Sequence, residues 1–288
     1  MLAIFLALFG SFWFASAMTF INRGVLSIDY FRGLLINLAV NTFFLWLYVL
    51  LFVPNVDLWH PVNVIFIAVG IFVPGMARFF IFKGMDRLGA TISSCLTNAA
   101  PLFAIVMAIL FLGEHPTITN ILGALSIVSG IIALSWKGAS KTWRTRDLAF
   151  PLTAALLFAS RDNLVRFAVV QIPSPVVGAA IAATTSFLTM STMYLLFAER
   201  KPMPPFAKRG LQFFAVSGFL NFLSYVLTYT ALSMEQVSII SPLVNGSSLF
   251  VVPISMLVLK DVEKVTWRKI GAIGLVIFGV FLISWEKL

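Results

Sequence analysis

Ten long apolar runs, separated by short polar or proline-containing breaks, dominate this sequence. A helix needs about 20 apolar residues to cross the hydrocarbon core of a bilayer. Of the 288 residues, 60% are hydrophobic and 11% are charged, whereas soluble domains are about 45–50% apolar and about 25% charged. We therefore predict an all-α integral membrane protein. The predicted spans are 2–20, 33–53, 62–82, 91–112, 118–136, 148–167, 174–197, 210–231, 237–259 and 267–285.

The basic residues between the spans indicate the orientation. Of the 20 Lys and Arg residues, 16 lie in the loops after the odd-numbered spans, whereas Arg166 and Lys287 alone lie on the other side. Because cytoplasmic loops carry the excess of Lys and Arg, we expect these odd loops in the cytoplasm and both termini on the non-cytoplasmic side. The net charge of +9 is explained by topology, so no nucleic-acid partner is expected. A bacterial inner membrane is the expected location.

Two halves of the sequence repeat each other. Asn98 and Asn245 are 147 positions apart, and apolar and hydroxyl residues around them match at the same spacing. We predict two homologous halves, 1–137 and 147–288, each with five spans. Since five is odd, the second half must enter the membrane from the opposite side, which is the inverted-repeat arrangement of many secondary transporters. The matched pairs are Ile92/Ile239, Ser94/Ser241, Leu96/Leu243, Asn98/Asn245, Leu102/Leu249 and Phe103/Phe250.

Short motifs at the ends of the spans resemble those of a known family. Pro101-Leu102-Phe103 is followed by Leu112-Gly113-Glu114, and Gly123-Ala124 and Gly271-Ala272 begin equivalent helices. This pattern resembles the ten-helix EamA-type members of the drug/metabolite transporter superfamily over nearly the whole chain. The resemblance implies two inverted five-helix repeats and transport of small metabolites by alternating access.

Three charged residues stand out because they lie well inside predicted spans. Arg78 is in span 3, and Arg161 and Asp162 are in the middle of span 6. A charge at the bilayer centre costs a few kcal/mol, so it usually faces a cavity or an opposite charge. The arginines are candidate ligands for a carboxylate or phosphate, and Asp162 is a candidate for ammonium binding or proton coupling. A structural Arg–Asp pair, or an Arg78 side chain that snorkels to the interface, is the alternative.

Other polar and aromatic residues are weaker candidates for the same site. Asn98 and Asn245 occupy equivalent central positions, where an amide lines a cavity or joins two helices. Trp13, Tyr225 and Tyr229 could stack on a substrate. The alternative for the aromatic residues is ordinary packing.

These features favour a secondary active transporter for a small anionic or zwitterionic metabolite such as an amino acid or organic acid. A flippase for a lipid-linked sugar or phospholipid head group is the alternative. His60 and His115 both lie in loops, and no metal, phosphate-loop or nucleophile motif is present. We therefore expect neither an enzyme nor a cofactor. The partners expected are a small-molecule substrate and the lipid bilayer, with a homodimer through the glycine-rich spans 5 and 10 as a further option.

Overall fold

The chain folds into a bundle of α-helices. The computed structural model describes residues 1–54, 56–135, 144–197, 208–247, 250, 254 and 267–285, except for the side chains of 74, 75, 78, 82, 90, 91, 134, 135, 197 and 267–270. No strand occurs in this part of the chain. The helices are α1 (Leu2–Gly24), α2 (Tyr30–Phe52), α3 (Asn63–Ile71), α4 (Ala77–Leu88), α5 (Ala90–Thr97), α6 (Ala100–Leu112), α7 (Ile118–Ser135), α8 (Ala149–Val169), α9 (Pro175–Phe197), α10 (Lys208–Met234), α11 (Val237–Asn245) and α12 (Trp267–Trp285).

A helix or a pair of helices lies at each of the ten predicted spans, although most of span 9 beyond residue 247 lies outside the described residues. Helices at five of the spans are long and apolar enough to cross a membrane, and Ile118–Ala133 and Gly271–Trp285 are shorter apolar helices. The outer surface carries exposed large apolar side chains such as Leu50 (78%), Phe111 (73%) and Leu195 (81%). A surface this apolar is expected for a protein whose solvent is lipid.

The third predicted span is interrupted next to a proline. Val73 has φ −127° and ψ 123°, the extended conformation favoured for a residue that precedes a proline. The interruption between α3 and α4 leaves backbone carbonyls without a helical partner. The hydroxyl of Ser186 donates to the carbonyl oxygens of Gly70 at 3.1 Å and Val73 at 3.0 Å. The break is therefore stabilised from α9, in the other half of the chain.

Spans 4 and 9 are interrupted at equivalent residues. α5 ends at Thr97 and α6 begins at Ala100, so Asn98 lies in the break. In the second half, α11 ends at Asn245 and a turn follows. The break in span 4 is followed by Pro101 in the first turn of α6, a position where the missing N–H costs no hydrogen bond.

The two halves run in opposite directions. α1 is antiparallel to α10, because Gly10 lies against Ser224 and Gly24 lies against Phe214. α8 is parallel to α10, because Arg166 near its end donates to the carbonyl oxygen of Leu232 near the end of α10. The first helices of the two halves, α1 and α8, therefore point in opposite directions, as an inverted repeat requires.

The packing pattern is the same when the halves are exchanged. The contact of α1 with α10 in one direction corresponds to the contact of α8 with α4 in the other. In the same way, the contact of α11 with α1 corresponds to that of α6 with α8. The last helices of the two halves, α7 and α12, pack on each other. A large apolar core, which includes Leu45 and Phe66 of the first half and Ile240 and Val276 of the second, crosses the boundary between the halves. The two halves thus share one apolar core.

Candidate functional site

A cavity of about 210 Å³ lies between the two halves. Its wall combines apolar side chains with a set of polar side chains from five of the predicted spans. Such a mixture of apolar walls and a few polar groups is typical of small-molecule sites. The polar and aromatic lining residues are Phe14, Thr97, Asn98, Phe158, Arg161, Asp162, Ser186, Ser224, Tyr225, Thr228, Tyr229, Asn245 and Ser247.

Arg161 and Asp162 form an ion pair at the wall of the cavity. Nε and Nη2 of Arg161 donate to Oδ1 of Asp162 at 2.9 and 2.6 Å. The side chain of Asp162 is 5% exposed, whereas that of Arg161 is 25% exposed. Because opposite charges offset each other's desolvation only when they are also hydrogen-bonded, this geometry explains how both charges are kept inside a predicted span. Of the two side chains, that of Arg161 is the more accessible.

The other oxygen of Asp162 is bonded to span 9. The hydroxyl of Ser241 donates to Oδ2 of Asp162 at 2.6 Å. Nδ2 of Asn245, one turn further along α11, donates to the Ser241 carbonyl oxygen at 2.8 Å. The carboxylate of Asp162 therefore has a hydrogen-bond donor on both oxygens, and α11 is attached to the ion pair.

Aromatic rings surround the ion pair. The guanidinium carbon of Arg161 lies 5.6 Å from the ring centroid of Phe158, within the range of a cation–π contact. Tyr225 and Tyr229, one turn apart on α10, stack at 5.8 Å with an interplanar angle of 16°. This wall offers flat apolar surface next to a charged group, which suits a ligand with one polar end and one apolar end.

Asn98 and Asn245 line the cavity at the breaks in spans 4 and 9. Helices that are interrupted near the centre of the membrane commonly form the substrate sites of transporters, because their ends expose polar backbone groups to a cavity. The two asparagines thus contribute side-chain amides at the same places where the helices stop.

Six of the eight predicted site residues line this single cavity, and of the other two only Trp13 has a described side chain. The side chain of Arg78 lies outside the described residues. Trp13 is absent from the lining and packs edge-on against Phe12 at 5.2 Å, whereas Phe14 lines the cavity. The six lining residues are Asn98, Arg161, Asp162, Tyr225, Tyr229 and Asn245.

Two residues at the site, Ser241 and Phe158, were not among the residues predicted from the sequence. Ser241 stood out in the sequence only as the repeat partner of Ser94, although it bonds Asp162 directly. Phe158 was not singled out, yet it lies three positions before Arg161, a spacing that places two side chains on one helix face. That spacing was the available signal. Within the described residues no group of three His, Cys, Asp or Glu side chains could hold a metal ion.

Comparisons with known proteins agree with this fold. The sequence profile of the EamA-like transporter family matches residues 1–136 and residues 148–285. A solved crystal structure, described only as that of a protein, aligns with 99% of this chain and 96% of its own length at a TM-score of 0.79 and 14% identity. That likeness shows the fold alone. A search of curated proteins found no match.

Proposed function

Because the chain belongs to the EamA-like transporter family, we propose that it is a secondary active transporter that moves a small zwitterionic or anionic metabolite by alternating access. Amino acids and organic acids are the substrate classes that this proposal includes. The observation that carries it is the Arg161–Asp162 ion pair, which lies at a cavity between the two halves of the bundle.

The ion pair has the chemistry to bind both ends of a zwitterion. The guanidinium of Arg161 is a planar group with several N–H donors, and the bonds to Asp162 use only part of that set. A substrate carboxylate can accept the other donors in a forked arrangement. A substrate ammonium group would be attracted to the carboxylate of Asp162. The stacked Tyr225 and Tyr229 rings and the Phe158 ring would contact the apolar part of the substrate.

The size of the cavity suits a small solute. A volume of about 210 Å³ is below the range of about 300–1,000 Å³ that holds drug-sized ligands. A flippase would in addition need an apolar opening between helices through which an acyl chain could pass. Arg161 would suit the phosphate of such a lipid, so the flippase is kept as the alternative and is tested below.

Alternating access would use the opposite orientation of the two halves. We propose ten membrane crossings, domains at 1–137 and 147–288, and both termini on the non-cytoplasmic side of a bacterial inner membrane. The halves would rock about the cavity, and the breaks at Asn98 and Asn245 would let the ends of spans 4 and 9 move separately. Asp162 is the candidate proton carrier, because protonation would cancel the charge that holds Arg161 in place.

The experiment that tests this proposal is uptake of radiolabelled amino acids and organic acids by proteoliposomes with imposed proton gradients. We expect accumulation of at least one such solute above the level of empty liposomes, and loss of that accumulation in Arg161→Ala. A scramblase assay with fluorescent phospholipids in the same proteoliposomes tests the alternative. Lipid movement without solute uptake would favour a flippase over the transporter. The absence of both activities would contradict both proposals.

A further inference from the structure

A buried carboxylate of the first half binds the start of a helix of the second half. α6 ends at Leu112, and Gly113 follows with φ +65°, a left-handed conformation that glycine adopts without steric cost. This turn directs Glu114 into the bundle, where it is 7% exposed. Its carboxylate accepts hydrogen bonds from the amide of Val237 at 2.7 Å, the amide of Ser238 at 3.0 Å and the hydroxyl of Ser238 at 2.8 Å. We call these three bonds the Glu114 cap.

The physical strength of the Glu114 cap comes from its position. Val237 and Ser238 are the first two residues of α11, and the amides of a first helical turn have no partner within the helix. A negative charge there also interacts favourably with the partial positive charge of the helix N-terminus. Hydrogen bonds to an ionised acceptor are about twice as strong as neutral ones. The cap is therefore a strong contact between the halves.

The turn before α11 is held from a second side. Nη1 of Arg166 donates to the carbonyl oxygen of Leu232 at 2.6 Å, and its guanidinium interacts electrostatically with Glu114 and Glu235. The segment 232–238 is thus fixed by span 6 and by the end of span 4. Leu232 also lines the cavity, so these contacts lie next to the cavity at one end of the bundle, which we call the Glu114 end.

α11 carries a second contact, one turn away from the cap. Ser238 takes part in the Glu114 cap, and Ser241, three positions later, donates to Asp162 at 2.6 Å. Pro242 lies inside α11, and a proline removes one of the hydrogen bonds that hold a helix together. The position of this nine-residue helix therefore depends on the contact of Ser238 with Glu114 and on the contact of Ser241 with Asp162.

We propose that α11 couples the closure of the Glu114 end to the charge pair of the cavity. When the Glu114 cap is formed, α11 lies against the cavity and Ser241 holds Asp162 toward Arg161. When the cap breaks, α11 moves away, Asp162 loses the Ser241 hydroxyl and the ion pair becomes free to exchange for a substrate. Coupling between two sites is reciprocal, so a change at Asp162 must also change the cap. This inference rests on the proposed transport function.

Distance measurements between spin labels test the coupling without any substrate. His115 and Met234 lie on either side of the Glu114 cap and are exposed, so each can be replaced by a labelled cysteine after Cys95→Ser has removed the natural thiol. In otherwise unchanged full-length protein in nanodiscs we expect one short distance. Because a hydrogen bond to a charged group contributes about 1.5–3 kcal/mol, E114Q should raise the ratio of long to short distances about 10- to 100-fold.

Two further variants separate the coupling from a merely local effect. Ser241→Ala leaves the Glu114 cap intact, so a purely local cap would show no change, whereas coupling through α11 requires a rise in the long-distance population. Asp57→Asn is the matched control, since it neutralises a carboxylate in the loop after α2 that bonds the amide of Trp59 and forms no part of the cap, and we expect no rise there. Glu114→Asp, which keeps the charge, should show a smaller shift than E114Q.

The outcomes distinguish this inference from the proposed function. An unchanged distribution in Ser241→Ala would overturn the coupling, whether or not E114Q shifts it and even if the protein transports solutes. Shifts in both variants, in a protein that moves none of the tested solutes, would leave the coupling in place and overturn the transport proposal. If E114Q fails to insert into the membrane, Ser238→Ala, which removes one of the three cap bonds, replaces it with an expected shift in the same direction.

Discussion

The hydroxyl of Ser241 lies 2.6 Å from Oδ2 of Asp162, whose other carboxylate oxygen accepts two hydrogen bonds from Arg161. This relationship joins α11 to the ionic centre of the cavity. Both oxygens of this carboxylate have hydrogen-bond donors, as a buried polar group requires, so the pair can persist inside the bundle. A substrate that competes for Arg161 or Asp162 would therefore also change the hydrogen bond between Ser241 and Asp162.

Removal of the guanidinium should abolish transport. Because Arg161 offers the positive group of the cavity wall, we expect Arg161→Ala to lower the uptake of the identified substrate at least about 100-fold, since each of the two charged hydrogen bonds of a fork contributes about 1.5–3 kcal/mol. Arg161→Lys should lower it less, since a lysine keeps the charge but lacks the planar fork. Uptake in proteoliposomes checks both. Normal uptake by Arg161→Ala would contradict the binding role.

The isosteric change Asp162→Asn should uncouple transport from the proton gradient. An amide cannot take up and release a proton, so an imposed pH gradient should no longer accelerate uptake, while exchange of labelled for unlabelled substrate continues at a lower rate because a substrate ammonium group loses its counter-charge. The comparison is the ratio of uptake with and without the gradient in the variant and the parent protein. Full sensitivity to the gradient in Asp162→Asn would show that another group carries the proton.

Removal of one partner of the ion pair should also lower the free energy of unfolding. Replacement of both partners should lower it less. Removal of one partner of a buried pair costs about 3–5 kcal/mol, because the other charge is left without compensation. The double variant Arg161→Met with Asp162→Asn should recover part of this loss. Thermal unfolding in detergent of the two single variants and the double variant measures the interaction. A strictly additive result would contradict a direct energetic coupling between Arg161 and Asp162.

Tyr225 and Tyr229 should contribute to transport through their aromatic rings rather than through their hydroxyl groups. Tyr225→Phe and Tyr229→Phe keep the stacked surface, so we expect transport within about threefold of the parent if stacking contributes about 0.5–1.5 kcal/mol per aromatic contact. Tyr229→Ala should raise the substrate concentration for half-maximal uptake about tenfold by the same estimate. A large loss in the Phe variants would instead assign the function to the hydroxyl groups.

Glycines on α7 and α12 provide a matched test of close helix packing. A Cβ atom at Gly123 would lie 2.8 Å from the carbonyl oxygen of Gly279, whereas a Cβ at Gly271 would meet nothing within 4 Å. Overpacking typically costs about 1–3 kcal/mol, so Gly123→Ala should lower the unfolding temperature, and Gly271→Ala should not. Equal effects of the two changes would contradict this packing of α7 on α12.

Much of this protein was determined by the sequence alone. The long apolar runs predict helices, since a backbone in lipid must satisfy its own hydrogen bonds, and the odd number of runs in each repeat predicts that the halves are inverted. Arg161 and Asp162 were recognisable as cavity residues because an ionised group in contact with lipid is costly. The equivalence of Asn98 and Asn245 was likewise visible in the repeat, whereas the ends of α5 and α11 at these residues were seen only in the structure.

Only the tertiary structure decided which side chains meet. α1 is apolar all round, so the pattern of residues did not show that Phe14 rather than Trp13 faces the cavity. Neither the bond from Ser241 to Asp162 nor the Glu114 cap on α11 is visible in the sequence, because each joins residues that are 79 to 124 positions apart. The rotation and relative height of packed helices set such contacts, and no local pattern in a uniformly apolar chain records those two quantities.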